Sequence, residues 1–476
     1  MTEARQTTPP AATCPVQHAG PTTAPPGRTT REPGRRADLI ARLPGRSLLT
    51  WALAFGIPGT AIRRAARRGD LTSLVLTDPR LRADPFPSYD QLRAAGAVVR
   101  GSGIFSTTDH AAADHILRSD AFGVAEGHGE LPLRVRRIIH AIAEPGALGP
   151  LEPPSMLATD PPAHTRYRRL VSRVFTPRAA RALEPMIDEV ATDLLDRLER
   201  QSEREFDLVA QYAARLPVAA ISKILGLPQT MEDQILRWGD GAAAMLDPGL
   251  TWRQYRASRT DVRELSHWFD NHVAALRRDP GDDLLSRLAR LEGDDRLSDI
   301  ELRATGLLIL GAGFETTVNL IGNAVALLDR HPEQLDRLRN DPALWPNAVE
   351  EVLRMESPVQ MTVRQAYRDT TVLGTRMKPG TAVVVFVGGA NRDPAVFTNP
   401  HEFDIGRQSA SEHLAFSAGV HYCLGAGLAK TEAGIALRRL YERFPDLTLQ
   451  GPAIRRPTKV LRGYTRLPVR AGKPAA

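Results

Sequence analysis

Phe416-Ser417-Ala418-Gly419-Val420-His421-Tyr422-Cys423-Leu424-Gly425 decides how the rest of this chain is read. It sets one cysteine inside a turn bounded by glycines, near the C-terminal end. From Leu424 to Tyr441 the spacing of Leu424, Leu428 and Ile435 predicts a helix, which puts Cys423 just before its first turn. Free backbone N–H groups and the positive end of a helix dipole favour a thiolate there, the form that binds metal. Gly419 and Gly425 let the backbone approach something flat and bulky that a side chain would block. A lone cysteine in a turn is more often an inert buried residue than a ligand, so its neighbours must decide.

Those neighbours fill every position of Phe-x-x-Gly-x-His-x-Cys-x-Gly, and the stretch resembles the haem-thiolate signature of the cytochrome P450 family. The resemblance implies that Cys423 is the axial ligand of iron in haem b. It also implies that Phe416 shields the sulfur, that His421 faces a haem propionate, and that Gly419 and Gly425 belong to the cofactor-binding turn. A thiolate ligand pushes electron density onto iron and favours O–O cleavage.

Three further strings stand in the order that family requires. Asp160-Pro161-Pro162-Ala163-His164-Thr165-Arg166-Tyr167-Arg168-Arg169 starts a helix with proline at its entry, and His164 and Arg168 fall at i and i+4 on one face. It resembles the family helix whose His and Arg hold a propionate, which leaves Arg166, Arg169 and Arg173 as candidates to meet a redox partner. Leu297-Ser298-Asp299-Ile300-Glu301-Leu302 is a complete helix start: Ser298 as N-cap, Glu301 completing a capping box, Leu297 against Leu302 as a staple. No proline follows until Pro332, so the helix runs about 30 residues, or roughly 45 Å. Leu307 to Leu310 is apolar nearly all round, as in a buried helix.

Midway along it lies Gly311-Ala312-Gly313-Phe314-Glu315-Thr316-Thr317. A buried Glu is costly unless it is bonded or used. The string matches the family's oxygen-activation motif, which implies that Glu315 and Thr316 are the catalytic pair that steadies O2 during its reduction and hands on protons. Val349-Glu350-Glu351-Val352-Leu353-Arg354 contains Glu-x-x-Arg, common by chance in helices, and takes its weight from lying between the oxygen motif and the cysteine. Glu351 and Arg354 are assigned as a structural pair. The family often adds an arginine before the Phe of Pro-x-x-Phe, but Pro400-His401-Glu402-Phe403 has Glu402 there, and the third member of this charge network stays open. Arg364 matches a further propionate ligand. Ala312 and Val359 to Thr362 are expected to line the substrate pocket.

Composition limits what surrounds these motifs. The chain has 476 residues, net charge +7, and two cysteines, Cys14 and Cys423, so no disulfide framework is implied, in keeping with a reducing cytoplasm. A basic balance points to an acidic partner here, because nothing resembles a nucleic-acid module. Residues 1–36 are Pro-, Thr- and Arg-rich without apolar periodicity and are expected to be disordered. Residues 37–75 form an N-terminal extension whose run from Leu48 to Ile62 is short and broken by Gly56, Pro58 and Gly59. It falls below the roughly 20 apolar residues a spanning helix needs, and is expected to pack on the fold or brush a membrane surface. Arg35-Arg36 invites an export reading, but no convincing cleavage site follows. Between Asp84 and Ser119 the pattern is helix, two short strands, helix. The irregular segment from Phe122 to Leu157, with Arg134, Arg136 and Arg137, reads as a lid over the substrate. Phe175 to about Leu291 reads as mostly helical.

The expected fold is mainly α with small β-sheets, a triangular P450-type prism forming a single catalytic domain over 76–476. The activity the resemblance implies is haem-dependent hydroxylation or epoxidation of a lipophilic small molecule, such as a fatty acid, terpenoid or polyketide, with O2. The chain has no flavin or iron–sulfur segment of its own. Electrons are therefore expected from NAD(P)H through a ferredoxin reductase and ferredoxin. A cytoplasmic monomer without a transmembrane span is expected. A peroxide-driven relative is disfavoured by Glu315-Thr316, and a non-catalytic haem-thiolate sensor would not need that pair.

Overall fold

The helix announced by the Ser298 box organises the computed structural model, which describes residues 45–124 and 149–472. The expected tail, with Cys14 and Arg35-Arg36, and the Arg134, Arg136 and Arg137 cluster of the expected lid lie outside the described residues. In chain order the helices that matter here are α1 (Ala163–Val171), α2 (Pro177–Glu199), α3 (Arg215–Leu225), α4 (Glu232–Ala244) and α5 (Trp252–Arg278). They are followed by α6 (Asp299–Arg330), α7 (Trp345–Met355) and α8 (Ala426–Arg443).

α6 begins as its sequence requires. The Glu301 carboxylate accepts the Ser298 N–H at 2.8 Å, the Ser298 hydroxyl accepts the Glu301 N–H at 3.4 Å, and Leu297 and Leu302 are buried on either side. Its 32 residues are covered by α3, α4, α5, α7 and α8. From Phe314 to Leu328 every residue is buried except Thr316. α6 is long and apolar enough to cross a membrane, but 67% of its most apolar window is buried in the fold, as suits a core helix. Contact with α4 is close: a Cβ on Gly239 would come 2.0 Å from the Phe314 ring, so only glycine lets the two helices sit at this distance.

Beside the helices stands a five-stranded sheet of β1 (Val99–Arg100), β2 (Phe105–Thr107), β3 (Phe122–Gly123), β4 (Thr362–Ala366) and β5 (Ala382–Val385), in the order β1-β2-β5-β4-β3. Only β2 and β5 run parallel. Val383, Val384 and Val385 are buried on both faces of β5, which fits their β-branched run. The register sets Arg364 opposite Val383 and Thr362 opposite Val385. A two-stranded ladder, β6 (Ile454–Arg455) with β7 (Tyr464–Arg466), lies near the C-terminal end. Helix, two strands and helix appear as read, at Phe86–Ala95, β1, β2 and His110–Arg118.

The N-terminal apolar run differs from its reading. Gly56, Pro58 and Gly59 do not break it, and residues 46–67 continue as one helical stretch with a π turn at Ala52–Gly56. Pro58 falls at the start of Ile57–Arg67, and the wider turn before it absorbs the missing N–H. Trp51 Nε1 donates to the Leu250 carbonyl at 2.7 Å, and Phe55 packs on Tyr255 with ring centroids 5.5 Å apart. Leu48, Leu49 and Ile57 remain exposed.

The open question of the charge network is resolved by Arg407. Arg354 makes a bidentate pair with Glu351 at 2.7 and 2.8 Å, both side chains fully buried. It also donates to the carbonyls of Asn391, Pro400 and Glu402. Arg407 Nε lies 3.1 Å from the Glu351 carboxylate, and the Asp404 N–H adds a bond of 3.0 Å. The third cation thus comes four residues after Phe403, and Glu402 contributes only its carbonyl. Removing one partner of a buried pair strands the other, so Arg354→Gln is expected to lose about 3–5 kcal/mol in urea unfolding. Arg407→Gln leaves Arg354 in place and is expected to lose about 1–3 kcal/mol. Equal losses, or none for Arg407, would contradict this assignment.

Candidate active site

The cysteine turn is built from a 3-10 turn at Gly419–His421 followed by α8, and Cys423 N–H donates to the Phe416 carbonyl at 2.9 Å. Phe416 itself packs near His413 and Tyr422. Gly419 has φ +67°, and a Cβ there would come 2.5 Å from the Leu117 carbonyl oxygen. Protein packing and backbone hand are thus enough to require glycine there. Gly425 differs: a Cβ on it would meet no neighbouring side chain or distant backbone within 4 Å.

Cys423 corrects a second expectation. Burial pushes its thiol up from the ordinary value, and this outweighs the opposing Gly425 N–H and the Arg168 charge. Position before a helix is not sufficient to ionise it, because desolvation penalises the bare thiolate. A bound cation reverses that penalty, since coordination deprotonates a thiol outright. Although the fold encloses Cys423 deeply, its side chain is not covered by protein atoms.

The second wall comes from α6. Ala312 is exposed, and Gly311, Gly313 and Thr316 are half-buried, in a helix otherwise largely covered. Ala312 and Thr316 are one turn apart on one face, and the Thr316 hydroxyl donates to the Ala312 carbonyl at 3.1 Å. Glu315 points elsewhere. It is 3% exposed, and its Oε1 lies 2.7 Å from Arg456 Nη1. Burial pushes its carboxyl up, Arg456 opposes this, and Asp240 adds to it.

A polar rim completes the site. The His164 and His421 rings meet at a tilt of 51° with centroids 4.4 Å apart, and His421 Nε2 is 3.2 Å from Asp160 Oδ1. Burial first, then the charges of His421 and Arg168, lower His164 to about 4. Burial works against Asp160, yet bonds from His421, Tyr367 and the Val124 N–H lower its carboxyl. Arg364 is 5% exposed and, among the described residues, donates to Thr362 Oγ1 and the Val363 carbonyl, at 2.9 and 3.0 Å. No carboxylate pairs with it or with Arg168 among the described residues. Two guanidiniums, one of them buried, and two imidazoles against a single carboxylate fit a group that carries further carboxylates. With an accessible thiol and the uncrowded Gly425, this donor set fits haem. Val359 bridges to Leu461, and Thr362 is held by Arg364.

Two expected partner-facing cations are already satisfied. Arg166 is bonded to Glu301 and to the carbonyls of Asp294 and Arg296, and Arg169 pairs with Asp295, so only Arg173 of that set is exposed without a partner among the described residues. Sequence reasoning missed Arg456 and Glu432. Glu432 of α8 is 1% exposed, and neither oxygen makes an aligned hydrogen bond. Burial holds its carboxyl well above the ordinary value, with the Thr317 hydroxyl pulling the other way. Its signal was present: it stands four residues after Leu428, inside the apolar stripe of α8. Arg456 carried no comparable mark beyond a pair of arginines before Pro457.

The family model described as Cytochrome P450 matches residues 152–459, well over half of the chain. The chain belongs to the cytochrome P450 family. The mycobacterial protein named cytochrome P450 140, from Mycobacterium tuberculosis, is 45% identical over 428 residues, covering 89% of this chain and 97% of its own. The 6-deoxyerythronolide B hydroxylase of Saccharopolyspora erythraea is 40% identical, covering 66% of this chain and 78% of its own. Among solved structures, ligand-free CYP164A2 of Mycobacterium smegmatis is similar with TM-score 0.76 and 34% identity, over 84% of this chain and 99% of its own. P450BioI in complex with an acyl carrier protein ligated to hexadec-9Z-enoic acid gives 0.75 and 33%, over 83% and 100%. The fold is thus the mainly helical P450 fold with small sheets, and the protein is a P450 monooxygenase, a class that uses haem and O2.

Cys423→Ser is expected to abolish the thiolate-type carbonyl difference spectrum; an unchanged spectrum would remove Cys423 as ligand. Arg364→Gln combined with Arg168→Gln should speed haem loss to apomyoglobin by about ten-fold or more, the scale of charge-assisted hydrogen bonds. A rate equal to that of the native protein would place the propionates elsewhere.

Proposed function

We propose that this P450 hydroxylates or epoxidises a lipophilic small molecule, a fatty acid or a terpenoid or polyketide metabolite, with electrons delivered one at a time by an external ferredoxin. The observation that carries the reading is the gap in α6: Ala312 and Thr316 are open along a helix whose following turns are covered, while Cys423 is open at the head of α8. A haem bound by these residues would supply the reductive activation of O2. Cys423 would be its metal ligand, with Phe416, Gly419 and Gly425 shaping the turn. His164, Arg168, Arg364 and His421 would hold its carboxylates.

The other residues then have defined tasks. Thr316 presents a hydroxyl on the open face and passes a proton inward from it, and Glu315, on the adjoining face, replenishes that proton. Ala312, Val359 and Thr362 line the substrate space, where small side chains leave room and contribute no charge. The substrate class is supported by what the relatives' names record, a hydroxylase of 6-deoxyerythronolide B, a P450 of a polyketide synthase and a complex with an acyl carrier protein ligated to hexadec-9Z-enoic acid. NAD(P)H reaches the protein through a ferredoxin reductase and ferredoxin, and an acidic ferredoxin suits the net charge of +7. We place the protein in the cytoplasm as a monomer, with its catalytic domain over 76–476.

Screening fatty acids and macrolactones for the low-to-high-spin optical shift will identify ligands. Turnover with NADPH, a surrogate reductase and a ferredoxin then tests the activity; turnover with peroxide alone, or no turnover with either donor, would overturn it. Thr316→Ala is expected to keep substrate affinity while sending most reducing equivalents to free hydrogen peroxide. Full product yield per electron in that variant would show that the proton path runs elsewhere.

A further inference from the structure

The corner between α4 and α5 meets the loop 456–463 that joins β6 to β7. At that meeting Asp247, 6% exposed, turns its carboxylate on two successive backbone N–H groups. Its Oδ1 accepts from Lys459 and from Val460, each at 2.9 Å, and its Oδ2 accepts from Lys459 at 2.9 Å. Lys459 Nζ returns a bond to the Pro248 carbonyl at 2.9 Å. Burying a carboxylate is costly unless donors meet it, and the N–H groups of an irregular loop have no ladder to bond to. Each side of this contact therefore supplies what the other lacks, and bonds to a charged acceptor are the strong kind. The other edge of the same loop is bonded to the segment 358–361. The Val460 carbonyl accepts the Gln360 N–H and the Pro358 carbonyl accepts the Arg462 N–H, both at 2.8 Å. Between these two bonds Leu461, buried, and Val359, half-buried, form an antiparallel bridge. Val460 thus has its N–H on Asp247 and its carbonyl on Gln360. The corner is itself anchored, by the Trp51 bond to Leu250 and by the packing of Met245, Leu250 and Tyr255 in one buried cluster.

We propose that Asp247 is a positioning residue for substrate selection: it fixes the loop 456–463, and through that loop the segment 358–361, and so sets how far Val359 stands into the substrate space. Val359 and Leu461 carry no charge or hydrogen-bonding side chain that could hold the wall in place. The directed bonds that hold it are those of the backbone, and they lead back to one carboxylate on the corner. Which lipophilic molecules are accepted is then decided partly by a residue that does not touch them. The inference rests on the reading of Val359 as a residue that lines the substrate space.

The test uses the haem-loaded protein and two probes that bind iron: imidazole, which is small, and 4-phenylimidazole, whose added ring extends into the substrate space. Asp247→Ala should change the ratio of the two affinities by about ten-fold, the scale of charge-assisted hydrogen bonds. Asp247→Asn keeps one carbonyl oxygen and should change it less; it carries the comparison if the alanine variant does not fold. Val359→Ala, at the wall itself, should change the same ratio. Hydrogen exchange in the Asp247 variants should quicken at Lys459, Val460 and Gln360 while α8 keeps its protection. Equal shifts for both probes would mean general loosening and overturn the proposal, as would a native ratio in the Asp247 variants beside a changed one in Val359→Ala. A native ratio in all of them would instead sink the placing of Val359 in the substrate space. Exchange at Gln360 then decides the positioning role, and a native rate there overturns it.

Discussion

A helix of 32 residues has to be buried on nearly every side and still leave one opening, and this constraint shapes the molecule. α3, α4, α5, α7 and α8 cover α6 because its apolar surface continues around the cylinder. The opening falls where side chains shrink, at Gly311, Ala312 and Gly313, and where the Thr316 hydroxyl occupies the carbonyl of the preceding turn. Back-bonding of that kind bends helices slightly. Small residues and a bent turn thus make room for the chemistry without exposing the flanking core.

A second theme is the handling of charge inside that core. Glu351 is satisfied by Arg354, Arg407 and a backbone N–H, a fully bonded set that suits a rigid framework. Glu356 is handled likewise: burial would raise it, but Arg462, Arg455 and Arg392 outweigh burial and hold it at about 2. Glu315 and Glu432 are different. Burial raises both, and neither is fully bonded. Buried carboxylates in one protein therefore divide into those locked as anions by several donors and those left able to take up a proton. The second kind stands on α6 and α8, the two helices that border the candidate site.

Much of this was legible in the chain itself. Capping chemistry is local, so Ser298 and Glu301 fixed the start of α6, and the absence of proline fixed its extent. The motif strings marked residues that do come near one another, His421 against His164 and Asp160, Arg168 acting on Cys423 and Asp160 on Arg364, because each is held by a few neighbouring residues. Arg407 and Arg456 were not legible, since each acts on a carboxylate distant in sequence and nothing near either marks the contact. Thiol ionisation was misjudged for a related reason: the helix start is visible in sequence, but the desolvation that opposes it depends on the whole fold. The π turn at Ala52–Gly56 escaped notice because glycine and proline read as breakers unless a wider turn accommodates them.

The helical stretch 46–67 also bears on how the protein should be handled. Trp51 is bonded to Leu250, and Gly59 approaches Gly249 so closely that a Cβ on Gly59 would sit 2.8 Å from its Cα. Both contacts fall on the corner between α4 and α5. Shortened forms made for expression or crystallisation that begin at Leu71 would therefore remove a buttress from that corner.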